Sequence, residues 1–314
     1  MNYLKDYREG EKFVGTYLCK QKQILKTKAG KTYYSLTLQD KTGTADGKIW
    51  ELNNGIANFE PMDYIHCEGM VTSFQGNLQM NISRVRISDE GEYDPADYVP
   101  CTNKDVGEMF SRILKYVASV QNKYLRKILE MYFVENKEFV DAFKKHSAAK
   151  SVQHGFMGGL LEHTLSVTDM CQYFAEHYPM IHRDLLITAA LFHDMGKIQE
   201  ISDFPLNDYT DDGQLLGHIY IGARCMENAA AQIPNFPPKL KNELVHCILA
   251  HHGKMEFGSP KVPAIMEAMA LHMADNADAK LQTLTEVFTQ AGDNMGWLGF
   301  NRMFESNLRK TSEE

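Results

Sequence analysis

Two adjacent polar residues, His193 and Asp194, directly follow a largely apolar run from Leu185 to Phe192. Such a run is typical of a buried segment, and burying an imidazole and a carboxylate without partners would cost several kcal/mol. A bound metal ion is one way to satisfy both groups. Imidazole and carboxylate ligands together suit Mn²⁺, Fe²⁺, Co²⁺ or Zn²⁺. The pair therefore predicts a divalent-metal site.

Other segments carry further candidate ligands, and eleven of the twelve histidines follow residue 145. The candidates are His163, His193, Asp194, His218, the pair His251-His252, and Asp275. They outnumber the four ligands of a closed structural zinc site, which favours a catalytic centre. Neighbouring helix residues point about 100° apart, so only one of the adjacent pair need face inward, and we expect His251 to do so. His66, His146, His177, His182 and His246 are interpreted as structural, and His272 as packing beside the site or in the core.

The length of 314 residues suggests about two domains, and the composition is that of a globular protein. The charged start of the chain and the lack of a long apolar stretch predict a cytoplasmic protein. Six cysteines without a C-x-x-C pair indicate free thiols rather than disulfides or a zinc ribbon. The net charge of −8 opposes a polyanionic partner, yet seven lysines and only two acids lie between Cys19 and Lys48. A local basic face is compatible with an acidic whole.

Residues 12–88 alternate apolar and polar side chains with the period of strands. The predicted strands are 13–18, 32–38, 47–50, 64–71 and 78–82. Five short strands in about eighty residues predict a small closed barrel, and a five-stranded OB-fold fits best. The run from Tyr34 to Gly43, followed by Lys48-Ile49-Trp50, resembles the OB-folds of single-strand-binding and anticodon-binding domains.

Such a barrel offers an outer face on which aromatic rings stack bases and basic side chains meet phosphates. Tyr33, Trp50 and Phe74 are the candidates for stacking, and the candidates for phosphate are Lys28, Lys31, Lys48 and Arg84. Because Tyr33 and Tyr34 alternate, at least one of them faces outward. The alternative for each aromatic is a place in the barrel core.

The barrel is predicted over residues 1–90, a linker over 91–101 and an all-α domain over 102–314. The helical period begins after Thr102, with Asp105 as the acid of a capping box. Helices are predicted near 110–117, 125–133, 137–146, 160–177, 183–194, 214–232, 239–251 and 263–290. Seventeen methionines and apolar surface leave self-association into a homo-oligomer open.

The order His163, His193-Asp194, Asp275 resembles the HD superfamily of metal-dependent phosphohydrolases, and the run from His193 to Lys197 matches its H-D-x-G-K form. The resemblance implies an all-α HD core at about 155–280. It also implies that His163, His193, Asp194 and Asp275 hold one ion, while Asp194 reaches a second ion held by His218 and His251. Two ions activate a water and stabilise the attacking and leaving oxygens of a phosphate ester. Lys197 would then neutralise charge in the transition state.

The barrel joined to this domain, with Gly158 to Val167 around the first histidine, resembles the YhaM-type 3′–5′ exoribonucleases. That family implies Mn²⁺-stimulated hydrolysis of single-stranded RNA, and of single-stranded DNA as a further substrate, to nucleoside 5′-monophosphates. His154 would touch substrate or fill the core. Two alternatives stay open: a phosphohydrolase of a small nucleotide with a regulatory barrel, and a single-strand-binding protein with a structural metal.

Overall fold

The computed structural model describes residues 3–74, 77–150 and 154–312, and it divides into two compact units. One unit comprises residues 1–101 with 204–206, and the other comprises 102–203 with 207–314. In the described part of the chain no helix combines the length and apolar character needed to cross a membrane. Each unit has its own apolar core.

The first unit is a closed five-stranded barrel, as the alternation of the sequence predicts. Its strands are β1 (Lys12–Lys26), β2 (Thr32–Asp40), β3 (Gly43–Ile49), β4 (Tyr64–Phe74) and β5 (Asn77–Ile87). The order around the barrel is β1-β2-β3-β5-β4. Strand β1 is long enough to pair with β4 through its first half and with β2 through its second half, and a parallel pairing of β3 with β5 closes the barrel. This is the OB-fold topology.

The predicted linker packs within the barrel unit. Tyr93 stacks on Tyr64 with ring centres 4.0 Å apart, and Tyr98 and Val99 are buried. A short 3-10 turn, Pro95–Asp97, lies between these contacts. The segment therefore packs within the barrel unit.

The second unit is helical. Its helices are α1 (Val106–Ser119), α2 (Lys123–Glu130), α3 (Lys137–Lys145), α4 (Gly159–His177), α5 (Arg183–Phe192), α6 (Lys197–Glu200), α7 (Asp211–Ala231), α8 (Pro238–Ala250) and α9 (Met266–Gln290). Near its end, β6 (Phe300–Asn301) and β7 (Ser306–Asn307) form a two-stranded ribbon, which the all-α prediction did not include.

The start of α1 differs from the prediction. Asp105 is itself the N-cap, and its side chain accepts a hydrogen bond from the backbone N–H of Glu108. Thr102 instead donates its hydroxyl to Glu162 at 2.5 Å. The capping-box assignment was therefore wrong, because Asp105 can cap on its own and Thr102 is used in a tertiary contact.

Candidate functional site

Five elements of the helical unit meet at one cluster of histidines and carboxylates. His163 lies on α4, His193 and Asp194 directly follow α5, His218 lies on α7, His251 directly follows α8, and Asp275 lies on α9. His193, Asp194 and His251 are almost completely buried. Residues far apart in sequence therefore converge at a single point of the bundle.

The imidazoles of the cluster share one orientation, in which Nδ1 is anchored and Nε2 points inward. The Nδ1 partners are Ala190 O for His193 (2.8 Å), Ile248 O for His251 (2.7 Å), Phe257 O for His252 (2.9 Å), Glu200 Oε1 for His218 (2.9 Å) and Asp278 Oδ2 for His163 (2.7 Å). Carbonyl and carboxylate oxygens only accept, so each neutral ring carries its proton on Nδ1. Each Nε2 is then left with a free lone pair, as a metal ligand requires.

The first group of ligand atoms surrounds one point. His163 Nε2 lies 3.1 Å from His193 Nε2, 3.3 Å from Asp194 Oδ2 and 3.3 Å from Asp275 Oδ1, while His193 Nε2 lies 3.4 Å from Asp194 Oδ2. Ligands about 2.1 Å from one ion are separated by roughly 3.0 Å in octahedral and 3.4 Å in tetrahedral geometry. The observed separations fit a shared ion.

A second group lies on the other oxygen of the same carboxylate. Asp194 Oδ1 lies 3.5 Å from His218 Nε2 and 3.7 Å from His251 Nε2. Within the described residues, all three atoms are buried and lack a hydrogen-bond partner. Orphaned buried acceptors are rare because their desolvation is costly, so these three fit a second cation bridged by Asp194.

His252 also reaches the second group. One ligand atom from each of His218, His251 and His252 lies within 4.8 Å of the others, so the structure offers both members of the adjacent pair. They differ in burial, since His251 is fully buried and His252 is partly exposed. His251 keeps helical backbone angles, with φ −64° and ψ −28°, and its ring centre lies 4.4 Å from that of His252. Both imidazoles therefore reach the second group, and His252 is a further candidate ligand beside the predicted His251.

The charges of the cluster favour bound cations. Burial alone would raise the pKa of the Asp194 carboxyl, but Lys197 and His193 hold that pKa well below its usual range. Burial lowers the pKa of His251 and His252, which keeps these rings neutral and able to coordinate. Burial would also lower the pKa of His163, yet Asp194, Asp275 and Asp278 together raise it. A position where three carboxylates stabilise a proton also stabilises a divalent ion.

Asp278 is the functional residue that sequence reasoning missed. Its Oδ2 accepts hydrogen bonds from His163 Nδ1 at 2.7 Å and from His154 Nε2 at 2.9 Å, while its other oxygen accepts from Ser166. The carboxylate thereby fixes the ring of His163. Asp278 lies one helical turn after Asp275, a spacing that places both on one face of α9 and could have been noticed. His154 takes its place in this network, with its ring buried.

Glycines allow the chain to approach closely around His218. A Cβ on Gly196 would lie 2.1 Å from the carbonyl oxygen of His218, so the glycine of the H-D-x-G-K run is required for this contact. Gly217, with a φ of 72°, interrupts the helical geometry of α7 just before His218. Glu200 then accepts both the backbone N–H and the ring Nδ1–H of His218, at 2.9 Å each. These features together set the direction of the imidazole.

A cleft of about 400 Å³ opens on the cluster. It is lined by His163, Lys197 and Asp275, and also by His252, Phe257, His272, Asn276, Lys280 and Met303. Lys197 places its ammonium 2.8 Å from Asp194 Oδ2. His272 donates from Nδ1 to the carbonyl of His251 at 2.9 Å, as expected for a residue packed beside the site.

The barrel residues predicted to bind nucleic acid occupy several places. Tyr33 faces outward and stacks on Trp50 with ring centres 4.6 Å apart. Tyr34 pairs with Ile49 in the register of β2 with β3, so the next residues, Tyr33 and Trp50, lie opposite each other. The Trp50 ring is 40% exposed and its N–H donates to Asn81 at 3.0 Å. Phe74 is exposed at the end of β4.

The basic candidates differ in availability. Lys48 is mostly buried between Asp46 at 2.6 Å and Ser35 at 2.7 Å. Lys31 pairs with Glu51 at 3.3 Å and Arg84 with Glu68 at 3.8 Å, all on the surface. Lys28 is exposed in the turn between β1 and β2. Surface pairs of this kind exchange readily for phosphate, whereas Lys48 would have to leave two partners.

Known proteins resemble both parts of the chain. A family model described as HD domain matches residues 160–280. A 3′–5′ exoribonuclease YhaM of Listeria innocua is 32% identical over 293 residues, covering 90% of each chain. The YhaM exoribonuclease of Bacillus subtilis is 31% identical over 262 residues, 81% of each chain, and that of a Geobacillus strain is 32% identical over 257 residues, 81% of this chain and 78% of the relative.

Proposed function

Because the chain belongs to the family of YhaM 3′–5′ exoribonucleases, we propose that it degrades single-stranded RNA from the 3′ end to nucleoside 5′-monophosphates. Membership makes it a hydrolase of phosphodiester bonds in nucleic acid, with a metal-dependent HD domain. The observation that carries the proposal is the convergence of Asp194 Oδ1, His218 Nε2 and His251 Nε2, which are buried and have no hydrogen-bond partner among the described residues. These atoms lie next to the group formed by His163, His193 and Asp275.

The proposed centre holds two ions. His163, His193, Asp194 Oδ2 and Asp275 would hold the first, and Asp194 Oδ1, His218, His251 and His252 the second, with Asp194 as the bridge. When bound, such a pair lowers the pKa of an attacking water and stabilises charge on the phosphate. A shell that mixes imidazole and carboxylate accepts Mn²⁺, and also Co²⁺, Fe²⁺ or Zn²⁺.

The protein side chains would orient the reacting groups. Lys197 lines the cleft, where its ammonium would meet a phosphate oxygen and offset charge as the leaving oxygen departs. Asp278, Glu200 and the backbone carbonyls fix the imidazoles in one tautomer, so no reorientation is needed at the moment of reaction. A cleft of about 400 Å³ suits one nucleotide of a chain end, in keeping with stepwise removal.

The barrel would bind the incoming strand. The stacked pair Tyr33–Trp50 and exposed Phe74 offer aromatic surface, and Lys28, Lys31, Lys48 and Arg84 would contact phosphates. Single-stranded DNA offers the same bases and phosphates, so it would compete. The proposal includes a cytoplasmic location, in keeping with six free thiols.

The test is a time course on a 5′-labelled single-stranded RNA with Mn²⁺, beside a chelator control. Asp194→Asn removes the bridging charge, and Asp169→Asn makes the same chemical change at a residue of α4 that instead pairs with Arg112 at 2.7 Å. A ladder that shortens from the 3′ end with wild type and Asp169→Asn, and disappears with Asp194→Asn, is expected. Intact RNA together with hydrolysis of free nucleotides would overturn the proposal in favour of a small-nucleotide phosphohydrolase.

A further inference from the structure

The end of the chain carries aromatic surface that neither the barrel nor the metal cluster uses. Trp297 is 69% exposed and Phe300 is 66% exposed. Both belong to the segment 297–310, called here the C-terminal hairpin. Exposed single apolar residues are common, whereas two large exposed rings within four residues are a local concentration of aromatic surface.

The hairpin is a hydrogen-bonded ribbon. Phe300 pairs with Asn307 and Asn301 with Ser306 across β6 and β7. Beyond the strands, the Leu298 N–H donates to the Leu308 carbonyl at 2.9 Å, and the Leu308 N–H donates to the Gly299 carbonyl at 3.2 Å. These pairs keep Trp297 and Phe300 on one short scaffold.

The charge of the hairpin is opposite to that of the whole chain. It contains three basic residues, Arg302, Arg309 and Lys310, and one acid, Glu305, whereas the full chain has a net charge of −8. The Arg309 guanidinium lies 6.0 Å from the centre of the Trp297 ring. Aromatic rings interleaved with arginine are the combination that binds single-stranded nucleic acid without sequence preference.

The hairpin is continuous with the catalytic cleft. Met303, in the turn between β6 and β7, lines the same cleft as His163, Lys197 and Asp275. A strand whose end lies in this cleft therefore has the hairpin within reach at Met303. The basic excess of the hairpin and its place at the cleft favour a polyanionic strand as its occupant.

We propose that the C-terminal hairpin is a second binding surface for single-stranded nucleic acid, which stacks bases on Trp297 and Phe300 while Arg302 and Arg309 contact the phosphates. The inference rests on the proposed function, since it concerns the strand that the cleft degrades. It gives the helical unit its own contact with the nucleotides next to the reacting end, independent of the barrel.

The first experiment uses the fluorescence of Trp297. The chain contains two tryptophans, so the full-length variant Trp50→Phe with Asp194→Asn has Trp297 as its single tryptophan and does not consume the probe. A 12-nucleotide oligouridylate is titrated into it. Stacking predicts saturable quenching, and emission that stays constant while anisotropy of a labelled oligouridylate reports binding would overturn the proposal.

The second experiment measures affinity and turnover. Trp297→Ala/Phe300→Ala and Arg302→Gln/Arg309→Gln are compared with Tyr173→Ala, an exposed aromatic on α4, and Lys239→Gln, an exposed lysine on α8. The Kd should rise at least about fivefold for each ring removed, the lower end of base stacking on an aromatic side chain, and KM should rise with it. Turnover of a small chromogenic phosphodiester is measured for each variant as a reference. A loss of that turnover would reveal damage to the metal centre.

The outcomes separate the two proposals. Wild-type protein that leaves RNA intact refutes the exonuclease itself. RNA degradation in which both hairpin variants bind within twofold of wild type refutes only the hairpin surface. Light scattering tests the competing occupant, because a wild-type dimer that Trp297→Ala/Phe300→Ala dissociates, with RNA affinity retained, would assign the hairpin to self-association. The arginine variant and the fluorescence titration keep the test valid if the aromatic variant fails to fold.

Discussion

Asp278 should control metal affinity without touching the metal. Its Oδ2 receives two N–H donors, from His163 at 2.7 Å and His154 at 2.9 Å, and its other oxygen receives the Ser166 hydroxyl. Asn at this position can still accept from both imidazoles through its oxygen, while its amide N–H₂ donates to the serine hydroxyl. The substitution therefore removes the negative charge and leaves the hydrogen-bond geometry largely intact.

The expected loss of metal affinity follows from the role of a carboxylate that hydrogen-bonds to a ligating imidazole. Losing such a partner typically weakens metal binding by about 10–100-fold, or about 1.4–2.8 kcal/mol. Asp278→Asn should weaken metal binding by about tenfold, the lower limit of this range, because only the basicity of His163 falls. Asp278→Ala should lie near the upper limit, because the ring also loses its orientation.

Calorimetric titration of chelator-treated protein with Mn²⁺ measures this directly, and Asp169→Asn is the control for the same chemical change outside the site. The order expected for Kd is wild type and Asp169→Asn, then Asp278→Asn, then Asp278→Ala. Wild-type affinity in both Asp278 variants, with the fold confirmed by circular dichroism, would refute the view that this carboxylate prepares His163 for the metal.

Three further predictions concern the ligands, the glycines and the barrel. His251→Ala should remove one bound ion and lower kcat at least about 100-fold. His252→Ala should lower kcat only about tenfold, because the His252 ring is partly exposed. Equal ion counts for His251→Ala and wild type in a metal analysis would contradict this. Gly196→Ala should lower the free energy of unfolding by about 1–3 kcal/mol, because the added Cβ would lie 2.1 Å from the His218 carbonyl oxygen. Gly222→Ala should lower it less, because its Cβ would lie 3.5 Å from the Ile248 side chain. Urea denaturation measures both, and the reverse order would be inconsistent with this packing. Trp50→Ala should raise the Kd for single-stranded RNA at least about fivefold. Leu52→Ala changes a similarly exposed neighbour and should leave the Kd within twofold of wild type. Equal Kd values for the two variants in an anisotropy titration would place the strand elsewhere.

The sequence alone predicted the strands and helices and most of the candidate metal ligands, because both depend on local patterns. Alternation of apolar residues located the five strands of the barrel, and helical spacing located α4, α5, α8 and α9 to within a few residues. The order of His163, His193-Asp194 and Asp275 indicated the HD domain that the family model matches. Such a motif can be recognised from sequence because it depends only on residue types within short runs and on the order of those runs along the chain.

Only the tertiary structure decided what depends on the approach of distant segments. Asp278 became a partner of His163 because α9 packs against α4, a contact across 115 positions that residue spacing does not specify. His252 lies beside His251 at the second group because α7 brings His218 to the end of α8, where both rings come within reach. Tyr33 met Trp50 through the register of β2 with β3. In each case the residue type permitted several roles, and non-local packing selected one by fixing which atom faces which partner.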